Sequence, residues 1–257
     1  MNRIKLSKRE TKARYPEIDL FRGLAITAMV VYHGVWNLHY FGFLSFDITS
    51  PAAQGIARTI GSSFLLLVGM SLHISWCRWQ ALQPSTSAWR KFGGRGLKIW
   101  GWALLVSTVT WFVLDGHILF GVLHLIGSAV ILSPLFLGRP AVSLAVGVAV
   151  AFAGLGVGSI ALESPWLLPW GIGADAFYMV DYYPLIPWLS PVLIGLALAS
   201  VLYPSGRQRT ALQRWASRFG CRPLAWLRFL GRHSLAVYLV HQPILFTLTL
   251  AAAHINS

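Results

Sequence analysis

Two residues in the stretch EIDLFRGLAITAMVVYHGVWN have types and spacing suited to chemistry, Arg22 and His33. On a helix their separation is three turns plus roughly 20°, which puts both on one face about 16 Å apart along the axis. Asp19, three residues before Arg22, shares that face and is placed to pair with it. Asn37, four residues after His33, continues the stripe. Ionisable groups inside hydrocarbon are costly and usually functional where they occur. A histidine suits general-base work near neutral pH, and an arginine can hold phosphate oxygens through paired hydrogen bonds. A hydroxyl or amine attacking an acyl carbonyl must lose a proton. The two types therefore suit transfer of an acyl group from an anionic donor held near Arg22 to an acceptor deprotonated at His33.

Further candidates lie in other apolar runs. His124 in FGVLHLIG, His241 in YLVHQPILF and Asp181 in DYYPLIPW all fall in the outer part of such a run or just before one. With His33 and Asn37 they form the expected catalytic set. Spacing along one helix gives no contact between runs, so convergence of His33, His124 and His241 is an expectation. The donor-side set is Asp19, Arg22, Arg58, Arg95 and Arg232, with Arg90, Lys91 and Lys98 adding attraction for an anion. Arg58 has two readings, an interfacial arginine with its head in water or a charge lining an outer cavity. His73 reads as an interhelical hydrogen-bond partner. His117 is expected on the same helix face as His124, while His39, His233 and His254 read as interfacial.

The elements that must position these residues are membrane helices. Hydrophobic residues make up 56% of the 257 and charged residues 11%, against roughly a quarter charged in a soluble domain. About 20 apolar residues cross a bilayer, which gives spans near 19–39, 55–77, 96–114, 118–137, 141–161, 186–203 and 228–251. The third and fourth form a hairpin through Asp115-Gly116. The fifth, AVSLAVGVAVAFAGLGVGSIAL, is all small and apolar and suits close helix packing. The expected architecture is an all-α integral membrane bundle of about seven transmembrane helices. It has a basic tail over 1–18, a membrane domain over 19–251 and a short outer tail over 252–257.

The charges orient that bundle. Arg3, Lys5, Lys8, Arg9, Lys12 and Arg14 precede the first span. The second loop carries Arg78, Arg90, Lys91, Arg95 and Lys98, the fourth Arg139, and the sixth Arg207, Arg209, Arg214, Arg218 and Arg222. The alternate loops hold Asp47, Asp115, Glu163, Asp175 and Asp181 without Lys or Arg. The positive-inside rule then puts the N-terminus in the cytoplasm and the C-terminus outside. A net charge of +13 distributed in this way marks topology, not a nucleic-acid surface. The N-terminal stretch is too long and charged for an ordinary signal peptide, so the first span is expected to be retained. Cys77 and Cys221 lack metal-ligand or redox spacing, and no metal is expected.

Arg22 and His33, with ten residues between them, match the Arg-x10-His pattern in the first helix of the acyltransferase 3 family. EIDLFRGLAITAMVVYH, FGVLHLIG, DYYPLIPWLSPVLIGLALA and FLGRHSLAVYLVHQPILF, in that order, resemble more specifically the bacterial branch of the heparan-α-glucosaminide N-acetyltransferase catalytic-domain family. The resemblance implies a transmembrane acyltransferase of the bacterial inner membrane. Its donor would be acyl-CoA, acetyl-CoA foremost, and its acceptor a sugar or glycan outside the cytoplasm. It makes His33 the catalytic histidine and Arg22 the donor-side arginine, and leaves open the roles of His124 and His241. The lysosomal enzyme that names the family is longer, with more spans and a lumenal portion, so its amino-sugar acceptor is not carried over. O- against N-acylation, an acetyl-histidine against direct transfer, and assembly into a homo-oligomer stay open. The rival readings are a proton-coupled transporter or lipid flippase using a His/Arg/Asp relay, a haem protein with paired histidines, and a structural membrane subunit.

Overall fold

In a computed structural model the described residues are 14–45, 47–83, 86–114, 117–158, 160, 162, 164–173, 179–217 and 222–256. They are helical, in turns or in irregular connections, with no strand among them. The helices are α1 (Pro16–Tyr40), α2 (Pro51–Leu82), α3 (Ala88–Leu114), α4 (Val122–Leu132), α5 (Pro140–Val157), α6 (Leu185–Leu202), α7 (Thr210–Ala216), α8 (Ala225–Arg232) and α9 (Ser234–Asn256). Of these, α1, α2, α5, α6 and α9 are long and apolar enough to cross a membrane. Large apolar side chains such as Phe112, Leu155 and Ile255 are exposed, as lipid-facing residues would be. The chain is an integral membrane protein.

Pro16 opens α1, where its missing N–H costs nothing, and Glu17 and Asp19 lie in the first turn near the positive end of the helix dipole. Arg22, His33 and Asn37 thus sit on one uninterrupted helix of 25 residues.

The chain divides into two compact units. In the first, Leu65–Arg209, α5 packs along α6 and α3 along α4. The small residues of α5 do allow close approach: a Cβ on Gly147 would stand 3.2 Å from Cβ of Leu193, and one on Gly154 would press on Pro187. In the second unit, Ala13–Phe64 with Thr210–Ser257, α1 packs against α8 and α9. The α1–α8 crossing is made by glycines on both sides. A Cβ on Gly23 would overlap the Leu227 carbonyl, and one on Gly231 the Asp19 carbonyl.

Two expected spans take a different form. The run over 118–137 becomes helical only at Val122, and ends in a 3-10 turn at Ser133–Leu135. The backbone before it is engaged elsewhere: Val180 N–H donates to the His117 carbonyl (3.1 Å) and Tyr183 N–H to the Phe120 carbonyl (2.9 Å). His117 therefore does not share a helix face with His124; its ring lies on Trp111, with centroids 4.3 Å apart. The run over 228–251 is also not one helix. It breaks at His233, whose φ and ψ of −107° and 21° leave helical geometry between α8 and α9. The Asp115-Gly116 turn and Cys221 lie outside the described residues.

Candidate active site

The second unit brings two of the expected histidines together. His33 on α1 and His241 on α9 lie with ring centroids 5.0 Å apart, and Nδ1 of His33 is 3.2 Å from Nε2 of His241. Each ring also meets a carbonyl of its own helix. Nδ1 of His33 is 3.1 Å from the Met29 oxygen, and Nδ1 of His241 is 2.6 Å from the Tyr238 oxygen. His241 is buried. Tyr32 packs edge-on to His33, and Tyr238 lies against His241.

One turn along α1, Asn37 has no exposed surface at all. Its Oδ1 accepts a hydrogen bond from Nε2 of Gln242, the residue after His241, at 3.2 Å. Nδ2 of Asn37 and Oε1 of Gln242 are buried and meet no hydrogen-bond partner among the described residues. A buried amide with an unused donor is costly unless something arrives to use it. The pair thus leaves one donor and one acceptor beside the histidines.

At the other end of α1, Asp19 is buried and Arg232 of α8 donates from Nε to its Oδ2 at 3.2 Å. The expected partner was Arg22 on the same helix; the partner this geometry shows is Arg232, delivered by the glycine crossing. The Arg232 side chain stays 45% exposed, so its charge is oriented by Asp19 without being sealed off. Arg22 lies half-buried one turn beyond Asp19. Arg58 is exposed on α2 and reaches the side chain of Gln54 one turn back (3.5 Å).

In the first unit His124 and Asp181 serve the start of α4. Gly121 N–H donates to Nδ1 of His124 (3.2 Å) and Val122 N–H to Oδ2 of Asp181 (3.1 Å). These are backbone donors that a helix start otherwise leaves unsatisfied. His124 is buried, edge-on to Trp100 and against the tilted ring of Phe120. Beside Asp181, Tyr182 donates its hydroxyl to the Leu168 carbonyl (2.8 Å), and burial pushes its phenol up to about 12. It therefore remains a donor across the physiological range. Arg95 is exposed on α3. His73 is buried, with Nε2 3.3 Å from the Tyr203 carbonyl, an interhelical bond of the kind its position suggested. No group of three or more metal-ligating side chains occurs among the described residues.

Sequence reasoning missed Gln242. The signal was present, since an amide directly after a histidine in an apolar run is itself unusual. Its partner across the helices was not readable from spacing.

A family model described as heparan-alpha-glucosaminide N-acetyltransferase, catalytic, matches residues 14–243. No curated protein and no solved structure matches the chain.

Proposed function

The chain belongs to the heparan-alpha-glucosaminide N-acetyltransferase catalytic-domain family, and on that premise we propose that it carries an acyl group, acetyl foremost, from coenzyme A at the cytoplasmic face to a sugar or glycan outside. The observation that carries this reading is the pairing of His33 with His241 beside the unused amide of Asn37, on the helix that also holds Arg22. The charge pattern of the loops supports seven spans and a cytoplasmic N-terminus, and the resemblance to the family's bacterial branch supports residence in a bacterial inner membrane.

Each residue then has a task. The acceptor hydroxyl or amine gives its proton to His33 while its oxygen or nitrogen attacks the thioester carbonyl. The C–S bond breaks, and the departing thiolate recovers the proton from His33. Nδ2 of Asn37 donates to the carbonyl oxygen as negative charge builds on it. Arg22 and Arg232 hold phosphates of the donor, with Asp19 orienting Arg232. Arg95 adds to the field that draws an anion in. Arg58 acts as an interfacial arginine. His124 and Asp181 hold the start of α4 and take no part in bond-making.

The test is acetyl transfer from labelled acetyl-CoA to a panel of extracytoplasmic glycans by the purified chain in liposomes. Label should appear on one acceptor class with the wild-type protein and disappear with His33→Ala, while that variant remains folded in the membrane. Transfer by His33→Ala at the wild-type rate would remove His33 from the reaction. Proton-coupled transport with no dependence on CoA would replace the acyltransferase reading with the relay.

A further inference from the structure

We propose that His241 is a positioning residue: it holds His33 as the Nδ1–H tautomer and leaves Nε2 of His33 as the bare nitrogen that takes the acceptor proton. The chemistry rests on the acyltransferase reading, whereas the tautomer is a property of the resting protein.

The assignment follows from which atoms can only accept. A carbonyl oxygen has no hydrogen to give, so a ring nitrogen bonded to it must carry one. Nδ1 of His241 faces the Tyr238 carbonyl at 2.6 Å and is therefore N–H. In the neutral ring Nε2 of His241 is then bare. That bare nitrogen faces Nδ1 of His33 at 3.2 Å, so Nδ1 of His33 must donate. The same atom lies 3.1 Å from the Met29 carbonyl, which makes the same demand. All three contacts agree on one arrangement, with the His33 proton shared between Met29 and His241. The opposite tautomer would set the Nδ1 lone pair of His33 against two others.

Met29 alone could not fix the ring, because a single contact to its own helix permits the imidazole to turn. His241 supplies the second contact from another helix. The neighbouring bond from Gln242 to Asn37 (3.2 Å) keeps α9 in the rotation that aims His241 at His33. When Nε2 takes the acceptor proton, His33 becomes an imidazolium and its Nδ1–H bond to His241 becomes charge-assisted and stronger. The contact therefore strengthens as the reaction proceeds, which is the condition for it to accelerate the step.

The experiment compares the wild-type chain with His241→Leu and His241→Gln, each labelled with ¹⁵N-histidine and purified in detergent, with His33→Asn used to assign the His33 signals. A protonated and a bare ring nitrogen resonate far apart, so the tautomer is read directly. Wild-type His33 is expected with Nδ1–H and a bare Nε2. In His241→Leu both tautomers should appear, with kcat for acetyl transfer falling on the order of 100-fold and KM for acetyl-CoA moving by less than about threefold. His241→Gln, whose Oε1 can accept from His33, should recover a large part of the lost rate and the single tautomer. A wild-type His33 protonated on Nε2 overturns the proposal, as does a His241→Leu variant with unaltered kcat. A fall in kcat with an unchanged His33 spectrum overturns it too, because that loss would be structural. If the wild-type tautomer is as expected but no acceptor is ever acetylated, the acyltransferase reading falls and the tautomer assignment stands.

Discussion

At the scale of single residues, the proposed division of labour along α1 is what makes the site testable. Arg22 and His33 lie about 16 Å apart on an ideal helix, too far for one side chain to do the other's work. Arg22→Ala is expected to raise KM for acyl-CoA by roughly tenfold or more, the loss of a charged hydrogen bond being worth about 1.5–3 kcal/mol, with the acceptor KM little changed. Steady-state kinetics with each substrate varied separately checks this, and a rise confined to the acceptor would contradict the donor role. That Arg22, His33 and Asn37 share one helix was legible in the sequence, because polar residues inside an apolar run announce themselves. What they touch was not. Asp19 was expected to pair within its helix, and it pairs with Arg232 instead. Gln242 passed unnoticed although Asn37 depends on it. Both contacts arise from how α8 and α9 lie on α1, which no spacing along one helix contains.

At the scale of elements, hydropathy located α1, α2, α5 and α6 well, since each needs only a long apolar run, but it ran α8 and α9 together across the break at His233. It misplaced the start of α4, because Ile118, Leu119 and Phe120 are as apolar as the helix that follows. Pairing of His117 and Phe120 with residues 180 and 183 stops the helix from starting earlier. Asp181 and His124 then satisfy the donors at that start. Asp181→Ala should accordingly cost about 1 kcal/mol of stability, the usual worth of a cap, and leave kcat within a few fold. Thermal unfolding in detergent and the transfer assay read the two effects, and a collapse of kcat without loss of stability would return Asp181 to the catalytic set. The α1–α8 crossing makes a sharper demand. Gly231→Val must push against the backbone of Asp19, at a cost of about 1–3 kcal/mol by ordinary overpacking. It should lower the thermal midpoint and weaken acyl-CoA use, because the residue displaced is the one that orients Arg232. A variant with a wild-type midpoint would show that the crossing can relax.

At the scale of the whole molecule, the loop charges make a prediction about sides. With seven spans, a reporter fused before Pro16 and one fused after Asn256 should answer from opposite faces of the membrane, the first from the cytoplasm. Protease accessibility in inverted and right-side-out vesicles reads this, and two reporters on one face would exclude an odd number of spans. The histidine pair carries a further consequence, for the order of biosynthesis. His33 and His241 are 208 positions apart, and at roughly 5–20 residues per second that interval lasts on the order of 10–40 s. During that interval α1 resides in the bilayer with its histidine and asparagine awaiting partners on a helix the ribosome has not yet made. On the proposed roles, the donor-side arginine is made early and the residue that positions the base is made late. A chain interrupted before α9 would keep Arg22 but lack the contact that positions His33, so on those roles its acetyl transfer should fall at least as far as that of His241→Leu.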